Sequence, residues 1–420
     1  VCPSPKHSGT LQSGGHRIES SAKRRSETMS TLPKPLPEPL VNHGRRESTA
    51  SILSIGTGVP QFQVDCRTSA KFAAQTSCVD EEHARKVNVL YRRTGIETRG
   101  SVLLEETPGE DATHEFYPPA VDIHDRGPST KRRNDRFGAA APDLAHRAAA
   151  AALESSGLAA DEITHLVTVT CTGFNAPGID IALIDRLGLP RTTERIQVGF
   201  MGCHAAINGL RAARGLVAAN PNAKVLLCCV ELCSLHFQYG DDTDLIVSNS
   251  LFADGAGAMV IQHGSGAADE LGALDRSETA VGRVVATGSC LVPESRDAMT
   301  WRIGDHGYLM TLSAQVPGLI EQHLESFLTD WLAAQGESIE SVGGWAAHPG
   351  GSRILSSVES ALKLDSEALR ISRSVLANHG NMSSATMLFI LQKFAEAAVP
   401  KPWLMLGFGP GLEIEVALIR

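Results

Sequence analysis

The sequence predicts a layered α/β fold, in which buried strands alternate with helices of ten or more residues. Short β-branched runs at 50–58 and 165–171 are each limited by glycine or polar residues, which is typical of buried strands. Alanine-rich stretches of helical length occur at 143–155 and 205–219. A chain of 420 residues, 42% of them apolar, is long enough for two core-bearing lobes or one large α/β unit.

The same alternation continues along the rest of the chain. Further strands are predicted at 196–198, 224–230, 257–262, 344–347, 403–408 and 412–418, and further helices at 316–335 and 383–397. Residues 1–48 are rich in Ser, Pro, Lys, Arg and Gly, which predicts a disordered, solvated tail. Two halves follow in this interpretation, 49–265 and 266–420, and the polar stretch 104–135 is expected to lie outside the core.

Composition excludes several classes of protein. The net charge of −9 argues against a nucleic-acid binder with a broad basic face. No apolar run reaches the roughly 18 residues that a membrane span needs, and no apolar segment near the start suggests a secretory signal. The nine cysteines include no C-x-x-C zinc pair, and adjacent Cys228 and Cys229 would point to opposite faces of a strand. We therefore expect a cytoplasmic protein with reduced thiols and no structural metal.

Cys203 is the candidate nucleophile. It lies in a segment that runs from a strand into an alanine-rich helix, and Gly199 and Gly202 permit a tight turn before it. Unsatisfied N–H groups and the helix dipole at a helix N-terminus favour a thiolate, which an acyl-accepting thiol needs. A buried structural cysteine remains the alternative, because free cysteines are among the most buried residues.

Two more polar sites occur beside glycines. His348 ends an apolar strand and is followed by a turn, while Asn381 lies in a loop that opens into a helix. Side chains from such loops can converge on a thiol, where His348 would pair with the thiolate and both groups would donate to a thioester carbonyl. A solvated turn histidine and a helix-capping asparagine are the alternatives.

Several sequence strings then indicate a family. They are Gly202-Cys203, His348-Pro349-Gly350-Gly351, Gly380-Asn381-Met382-Ser383-Ser384 and Gly407-Phe408-Gly409-Pro410-Gly411. In these strings the chain resembles the type III polyketide synthases, which include chalcone synthase, from about residue 50 to 420, and it looks like a bacterial-type member. The resemblance implies a thiolase-like five-layer αβαβα fold with two similar halves and a homodimer. It also implies a Cys203–His348–Asn381 triad that acts on acyl-CoA and malonyl-CoA directly, with no permanently bound cofactor.

The resemblance further implies a reaction chamber behind a gate. Phe252 matches one gate phenylalanine of the family, whereas Met310 stands at the other gate position, and Ala176 replaces a methionine that crosses the dimer interface. Chamber-lining positions are occupied by Cys171, Thr172, Cys233, His236, Trp301 and Ser383, and coenzyme A contacts by Lys86, Arg93, Gly350 and Gly351. For Lys86 and Arg93 a solvated helix face remains the alternative.

The Met310 and Ala176 differences favour an aliphatic starter and an alkylpyrone or alkylresorcinol product. The main competing function is a priming ketoacyl synthase of fatty-acid synthesis, which shares the fold and the triad but depends on a carrier protein. A papain-like hydrolase also uses Cys, His and Asn, although its cysteine usually lies near the mature N-terminus and disulfides accompany it. A non-catalytic scaffold would be expected to lose one of the three groups, and all three are present.

Overall fold

The computed structural model describes residues 49–77, 80–106, 115–264 and 280–420. The predicted tail at 1–48 and the predicted boundary between the halves at 265/266 lie outside the described residues. The strands are β1 Thr49–Gly58, β2 Gln63–Asp65, β3 Thr98–Gly100, β4 His165–Thr170, β5 Glu194–Gly199, β6 Lys224–Leu232, β7 Asp254–Gly264, β8 Gly282–Leu291, β9 Met299–Gly304, β10 Gly307–Leu312, β11 Gly344–Ala347, β12 Trp403–Gly409 and β13 Glu413–Ile419. The α-helices are α1 Cys66–Ser77, α2 Glu81–Arg93, α3 Thr130–Ser156, α4 Ile179–Leu187, α5 Ala205–Ala219, α6 Thr243–Leu251, α7 Val316–Ala333, α8 Ser352–Leu362, α9 Arg370–His379 and α10 Thr386–Glu396.

Nine strands form one mixed sheet in the order β11-β12-β13-β8-β1-β7-β6-β4-β5. The same pairing pattern occurs twice. β4 and β6 are parallel, β6 pairs antiparallel with β7, and β7 pairs antiparallel with β1. β11 and β12 are likewise parallel, β12 pairs antiparallel with β13, and β13 pairs antiparallel with β8. The sheet therefore consists of two similar halves, joined where β1 meets β8.

The layers follow from the alternation of side chains along the strands. On β6, Cys229 belongs to the central core that contains α5 and α10, whereas Cys228 belongs to an outer core with α3 and α4. On β12, Met405 faces the central core and Leu404 faces a second outer core with α7 and α8. Each half of the sheet therefore forms one layer between the central helices and an outer pair of helices. The order is helix, half-sheet, helix, half-sheet, helix, and the five-layer α/β prediction is confirmed.

The polar stretch 104–135, which was predicted to lie outside the core, is partly buried in it. Tyr117 and Arg133 are buried, and Arg133 donates to the hydroxyl of Tyr117 and to the carbonyl of Leu235. Helix α3 also begins at Thr130, capped by Ser129, not at the predicted residue 143. The predicted start at residue 143 was wrong, because the helix extends through Pro142 into the preceding polar segment.

The fold brings together the ends of the three elements that carry the predicted site residues. Cys203 lies immediately before α5, His348 immediately after β11, and Asn381 shortly before α10. Since α5 and α10 both belong to the central layer, their N-terminal ends can face one site. Among the described residues, no helix is long and apolar enough to cross a bilayer.

Candidate active site

The turn before Cys203 has an unusual backbone. Phe200 and Gly202 have φ angles of 58° and 87°, in the left-handed region that favours glycine. A Cβ on Gly202 would lie 2.3 Å from Cδ of Pro410, so the turn and the loop after β12 fit together only with glycine at this position. Helix α5 begins directly after this turn with no side-chain cap. The thiol is therefore held at the end of the helix, with 9% of the residue exposed.

His348 is fixed by the strand that it follows. Its N–H donates to the carbonyl of Leu406 on β12 at 2.8 Å, and its own carbonyl accepts from the N–H of Gly350 at 3.0 Å. The residue is only 1% exposed. The imidazole thus sits at the buried end of β11, with its backbone bonded to β12.

Asn381 is held by hydrogen bonds on both sides of Phe252. Its N–H donates to the carbonyl of Leu251, and its carbonyl accepts from the N–H of Ala253, each at 2.9 Å. Its Oδ1 accepts from the N–H of Ser383 at 2.8 Å. The amide Nδ2 is therefore the group that remains to act as a donor towards other side chains.

The three predicted residues meet in one cavity. Cys203, His348 and Asn381 all line a space of about 560 Å³, together with Phe252 and Met310. The Asn381 side chain interacts with both the Cys203 thiol and the His348 imidazole. This arrangement supplies a nucleophile, a possible base and a neutral donor in a buried space, which suits acyl transfer through a thioester.

Burial sets the protonation of the pair. It raises the pKa of the Cys203 thiol to about 11, although hydrogen bonds from Ser383 and Asn381 act in the opposite direction. It also lowers the pKa of the His348 imidazole to about 3. Both shifts favour the neutral thiol and the neutral imidazole, so they oppose the thiolate that a helix N-terminus favours.

A second cavity adjoins the first at Phe252 and Met310. It is open to solvent on one side, has a volume of about 860 Å³, and is lined largely by apolar side chains, including Phe72 and Leu104. Phe252, Met310 and Ser248 line both cavities. The Ser248 hydroxyl approaches the Met310 sulfur at 3.7 Å, so helix α6 and strand β10 meet at the passage between the two spaces.

Family comparisons agree with this geometry. The family model for the N-terminal domain of chalcone and stilbene synthases matches residues 39–266, and the model for their C-terminal domain matches residues 283–420. The chain belongs to the chalcone and stilbene synthase family. The predicted family is therefore confirmed, while the bacterial-type assignment within it stays a prediction.

Among its relatives, this chalcone and stilbene synthase family member is 30% identical over 384 residues to "Probable polyketide synthase 1" of Dictyostelium discoideum. That match covers 90% of the chain but only 12% of the much longer relative. The crystal structure of the C-terminal type III polyketide synthase domain of Steely1, a type I/III hybrid from Dictyostelium, is 29% identical with a TM-score of 0.76, covering 89% of this chain and 99% of that one. PKS-I from the brown alga Ectocarpus siliculosus is 28% identical with a TM-score of 0.80, covering 90% of this chain and 99% of that one.

Most of the predicted chamber residues of this family member lie in or beside the larger cavity, and Ser383 lies elsewhere. Cys233, His236 and Trp301 line the larger cavity. Cys171 and Thr172 are buried beside it, where the Cys171 carbonyl accepts from the Trp301 indole at 2.8 Å. Ser383, at φ 48°, instead contacts the Cys203 thiol, and Ala176 is exposed.

The predicted coenzyme A contacts are more scattered. Gly350 lines the catalytic cavity, and Gly351 lies next to it at the start of α8. Lys86 and Arg93 are exposed on α2, two turns apart, and line neither cavity. The Lys86 ammonium donates to the carbonyl of Asp241. Their role in binding coenzyme A stays a prediction.

Sequence reasoning missed the buried carboxylate of Glu231. It accepts hydrogen bonds from the Ser384 hydroxyl at 2.6 Å, and from the Cys171 N–H and the Thr172 hydroxyl at 2.9 Å. Burial raises its pKa to about 7, and its charge in turn raises the pKa of the Cys203 thiol. The signal available in the sequence was a carboxylate directly after the apolar run 225–230 of strand β6. A charged side chain in a buried strand is uncommon, because burial of an unpaired charge is costly.

Proposed function

We propose that this chain is a type III polyketide synthase that builds a polyketide on Cys203 from coenzyme A thioesters. The observation that carries the proposal is the convergence of Cys203, His348 and Asn381 in one buried cavity of a family member. In this proposal the enzyme takes acyl-CoA and malonyl-CoA directly, without a carrier protein or a permanently bound cofactor. A reduced thiol nucleophile and coenzyme A substrates suit a cytoplasmic location.

Loading begins with a proton transfer. As the Cys203 sulfur attacks the thioester carbonyl of the starter, the neutral His348 imidazole accepts the thiol proton. The protonated imidazole and the Asn381 amide then donate to the oxyanion of the tetrahedral intermediate. Collapse of the intermediate expels the coenzyme A thiolate, which takes up the proton, and leaves the acyl group on Cys203.

Extension reuses the same donors. Malonyl-CoA loses carbon dioxide, and the electrons of the broken C–C bond form an enolate whose oxygen faces His348 and Asn381. Losing one such donor typically costs about 100-fold or more in rate. The enolate carbon attacks the Cys203 thioester and expels the Cys203 thiolate, so the lengthened chain is now a coenzyme A thioester. A second thioester exchange returns the chain to Cys203 and releases coenzyme A. The buried, largely apolar surroundings limit hydrolysis of the thioester.

The larger cavity supports an aliphatic starter. Its walls are mostly apolar, and it begins at the gate formed by Phe252 and Met310. A flexible methionine obstructs this passage less than a rigid ring would. We therefore propose an alkyl chain in this cavity and a pyrone or resorcinol-type product, with Lys86 and Arg93 as contacts of the coenzyme A moiety.

A homodimer is also proposed, through the edge strand β5. Its only neighbour in the described sheet is β4, and four of its six residues are exposed. Ile196 on this strand and the nearby Phe174 are apolar and about 40% exposed. An exposed apolar edge is a site where a second copy can add its own strand.

Incubation of purified protein with acyl-CoA starters and malonyl-CoA, in the absence of any carrier protein, tests the proposed function. Mass spectrometry is expected to show pyrones or resorcinols, with the highest yield from long-chain starters. Strict dependence on an acyl carrier protein would instead identify a priming ketoacyl synthase. Equal use of short, aromatic and long starters would contradict the proposed alkyl cavity while leaving the polyketide function intact.

A further inference from the structure

A second histidine is buried beside the nucleophile. His204 follows Cys203 in the chain and is fully buried. Its ring lies against β12, where a Cβ added to Gly409 would be 2.3 Å from two of the ring atoms. A Cβ on Gly407 would lie 2.8 Å from Cβ of His204. Two glycines of the C-terminal string therefore leave the space that this imidazole fills.

Both ring nitrogens of His204 face polar groups. Nδ1 lies 2.7 Å from Oδ1 of Asn208, one turn along α5. Nε2 lies 3.4 Å from a carboxylate oxygen of Glu413 on β13, and this contact is the largest cause of the lowered pKa of the Glu413 carboxyl. The Ser289 hydroxyl donates to Glu413 at 2.9 Å from the other side. The imidazole is thus held between its own helix and strands β12 and β13.

The neighbouring Glu415 does not make this cluster a metal site. Glu415 is buried and accepts from both terminal nitrogens of Arg211, and also from the amide of Asn208 at 2.9 Å. A cation bound by His204, Glu413 and Glu415 would have to displace this guanidinium. The pairing of Arg211 with Glu415 leaves Glu413 as the carboxylate partner of His204.

Strand β12 connects this imidazole with the catalytic one. The carbonyl of Leu406 accepts a hydrogen bond from the N–H of His348. Further along the same strand, His204 packs against the α-carbons of Gly407 and Gly409. His204 also lies near enough to His348 to contribute to the lowered pKa of that imidazole. A shift of His204 would therefore change the position of the Cys203 turn relative to His348.

We propose that His204, with Nε2 in contact with the Glu413 carboxylate at 3.4 Å, is a positioning residue that fixes the Cys203 turn on β12 and so aligns the thiol with His348. The inference rests on the proposed function, since it assigns His204 and Glu413 to the same condensation. It does not give His204 a proton-transfer step. Because a displacement of about 1 Å can cost about 100-fold in rate, loss of the pair should lower kcat much more than it changes KM.

Four variants test the pair: His204→Ala, Glu413→Ala, Glu413→Gln and the double alanine variant. We expect each alanine variant to lower kcat by about tenfold or more, with KM for acyl-CoA within about twofold. Glu413→Gln should keep kcat within about threefold, because its side-chain amide has nearly the same shape and can either accept from Nε2 of His204 or donate to it. The double variant should be no worse than the poorer single variant, since both remove one interaction. Glu359→Gln, which removes a similarly half-buried glutamate bound to Arg373, is the matched control.

Alkylation of Cys203 by iodoacetamide gives a readout that does not depend on polyketide formation. The alanine variants are expected to react several-fold more slowly than the wild type at the same pH, with melting temperatures within a few degrees of it. Wild-type kcat and alkylation rate in folded Glu413→Ala would overturn the inference, as would additive losses in the double variant. Glu413 is part-exposed, so its variants carry the test if His204→Ala fails to fold. A wild type that alkylates but makes no polyketide would overturn the proposed function, and the alkylation rates would still decide the positioning role.

Discussion

At the scale of single residues, burial acts on both members of the proposed catalytic pair. It raises the pKa of the Cys203 thiol and lowers that of the His348 imidazole, which favours the neutral form of each group. In the proposed loading step, proton transfer to His348 therefore accompanies the attack of the sulfur on the thioester.

Replacement of Cys203 by alanine is expected to abolish product formation, because no other thiol of the described residues faces His348 and Asn381 in the catalytic cavity. Product yield by mass spectrometry from acyl-CoA and malonyl-CoA is the measurement. Cys66→Ala, at a half-buried cysteine on α1, is the control and should retain full yield. An undiminished yield from Cys203→Ala would refute the assignment of the nucleophile.

The Glu231 carboxylate is expected to restrain the reactivity of Cys203. Its negative charge raises the pKa of the thiol, so Glu231→Gln should lower that pKa below about 11 and speed alkylation at pH 8. One pKa unit would correspond to about a tenfold increase in rate. The pKa of Glu231 itself is raised to about 7, so the rate difference should be largest above pH 7, where the carboxylate is ionised, and should vanish in acid.

Asp254→Asn is the matched control for this experiment. Asp254 is also buried, with a pKa raised to about 6, but it does not act on the Cys203 thiol. The Asp254→Asn variant should alkylate at the wild-type rate.

The raised pKa of Glu231 also implies that stability depends on pH. Because its folded pKa lies above its ordinary value, the free energy of unfolding should fall as pH rises from about 4.5 through 7, and this fall should be absent in Glu231→Gln.

The sequence singled out the three residues that the structure brings into one cavity, but it did not reveal the residues that surround them. Cys203, His348 and Asn381 each stand at a strand end or helix start beside glycines, which is a local signal. The pairing of His204 with Glu413 joins residues more than 200 positions apart, so no local pattern reports it. Glu231 carried a local signal, but its partners Ser384 and Thr172 come from other elements.

At the scale of elements, the turn before α5 depends on Gly202. Gly202→Ala would place a side chain at φ 87° and against Pro410, so we expect a loss of about 1–3 kcal/mol in the free energy of unfolding and a large loss of activity. Urea denaturation and product yield are the measurements. Gly215→Ala, within α5 and with open space around its Cα, should instead stabilise the protein by up to about 1 kcal/mol. Equal stability changes at the two positions would contradict this account of the turn.

Strand β10 carries the second gate residue, and its side chains alternate. Met310 lines both cavities, whereas Leu309 is 41% exposed. Met310→Phe puts a rigid ring into the passage and is expected to lower yield from long-chain starters several-fold more than yield from short ones. Leu309→Phe adds the same ring on the other face and should leave the preference unchanged. A preserved chain-length profile in Met310→Phe would argue against this passage as the route of the acyl chain.

Element boundaries show where local patterns fail. Helix α5 and strand β11 begin and end at the predicted residues, because glycine or polar residues limit both. Helix α3 was predicted to begin thirteen residues too late, since the prediction followed the alanine-rich stretch and the residues 130–141 before it are also helical. The helix packs its alanines against β1, β6 and β7, and this contact is not visible in its own sequence.

At the scale of the whole molecule, the two halves of the sheet end differently. In the described part of the chain, β11 at one end is buried along its whole length. β5 at the other end is mostly exposed and carries Ile196, while the adjoining loop exposes Phe174. The Phe174 ring packs on that of Phe200, in the turn that leads to Cys203, with centroids 5.1 Å apart. A second copy bound at this edge would therefore lie close to the nucleophile turn of the first.

Ile196→Asp should weaken or abolish the proposed dimer, because it puts a charge on the apolar edge where the second copy pairs. Light scattering coupled to gel filtration is expected to give the mass of two chains for the wild type and of one chain for the variant at micromolar concentration. Ile303→Asp, at a residue that is 60% exposed on β9 and outside the nine-stranded sheet, is the control and should remain dimeric. Since the edge adjoins the Cys203 turn, the Ile196→Asp monomer should also lose most of its condensing activity. A monomeric wild type, or a variant with unchanged mass, would exclude β5 as the interface.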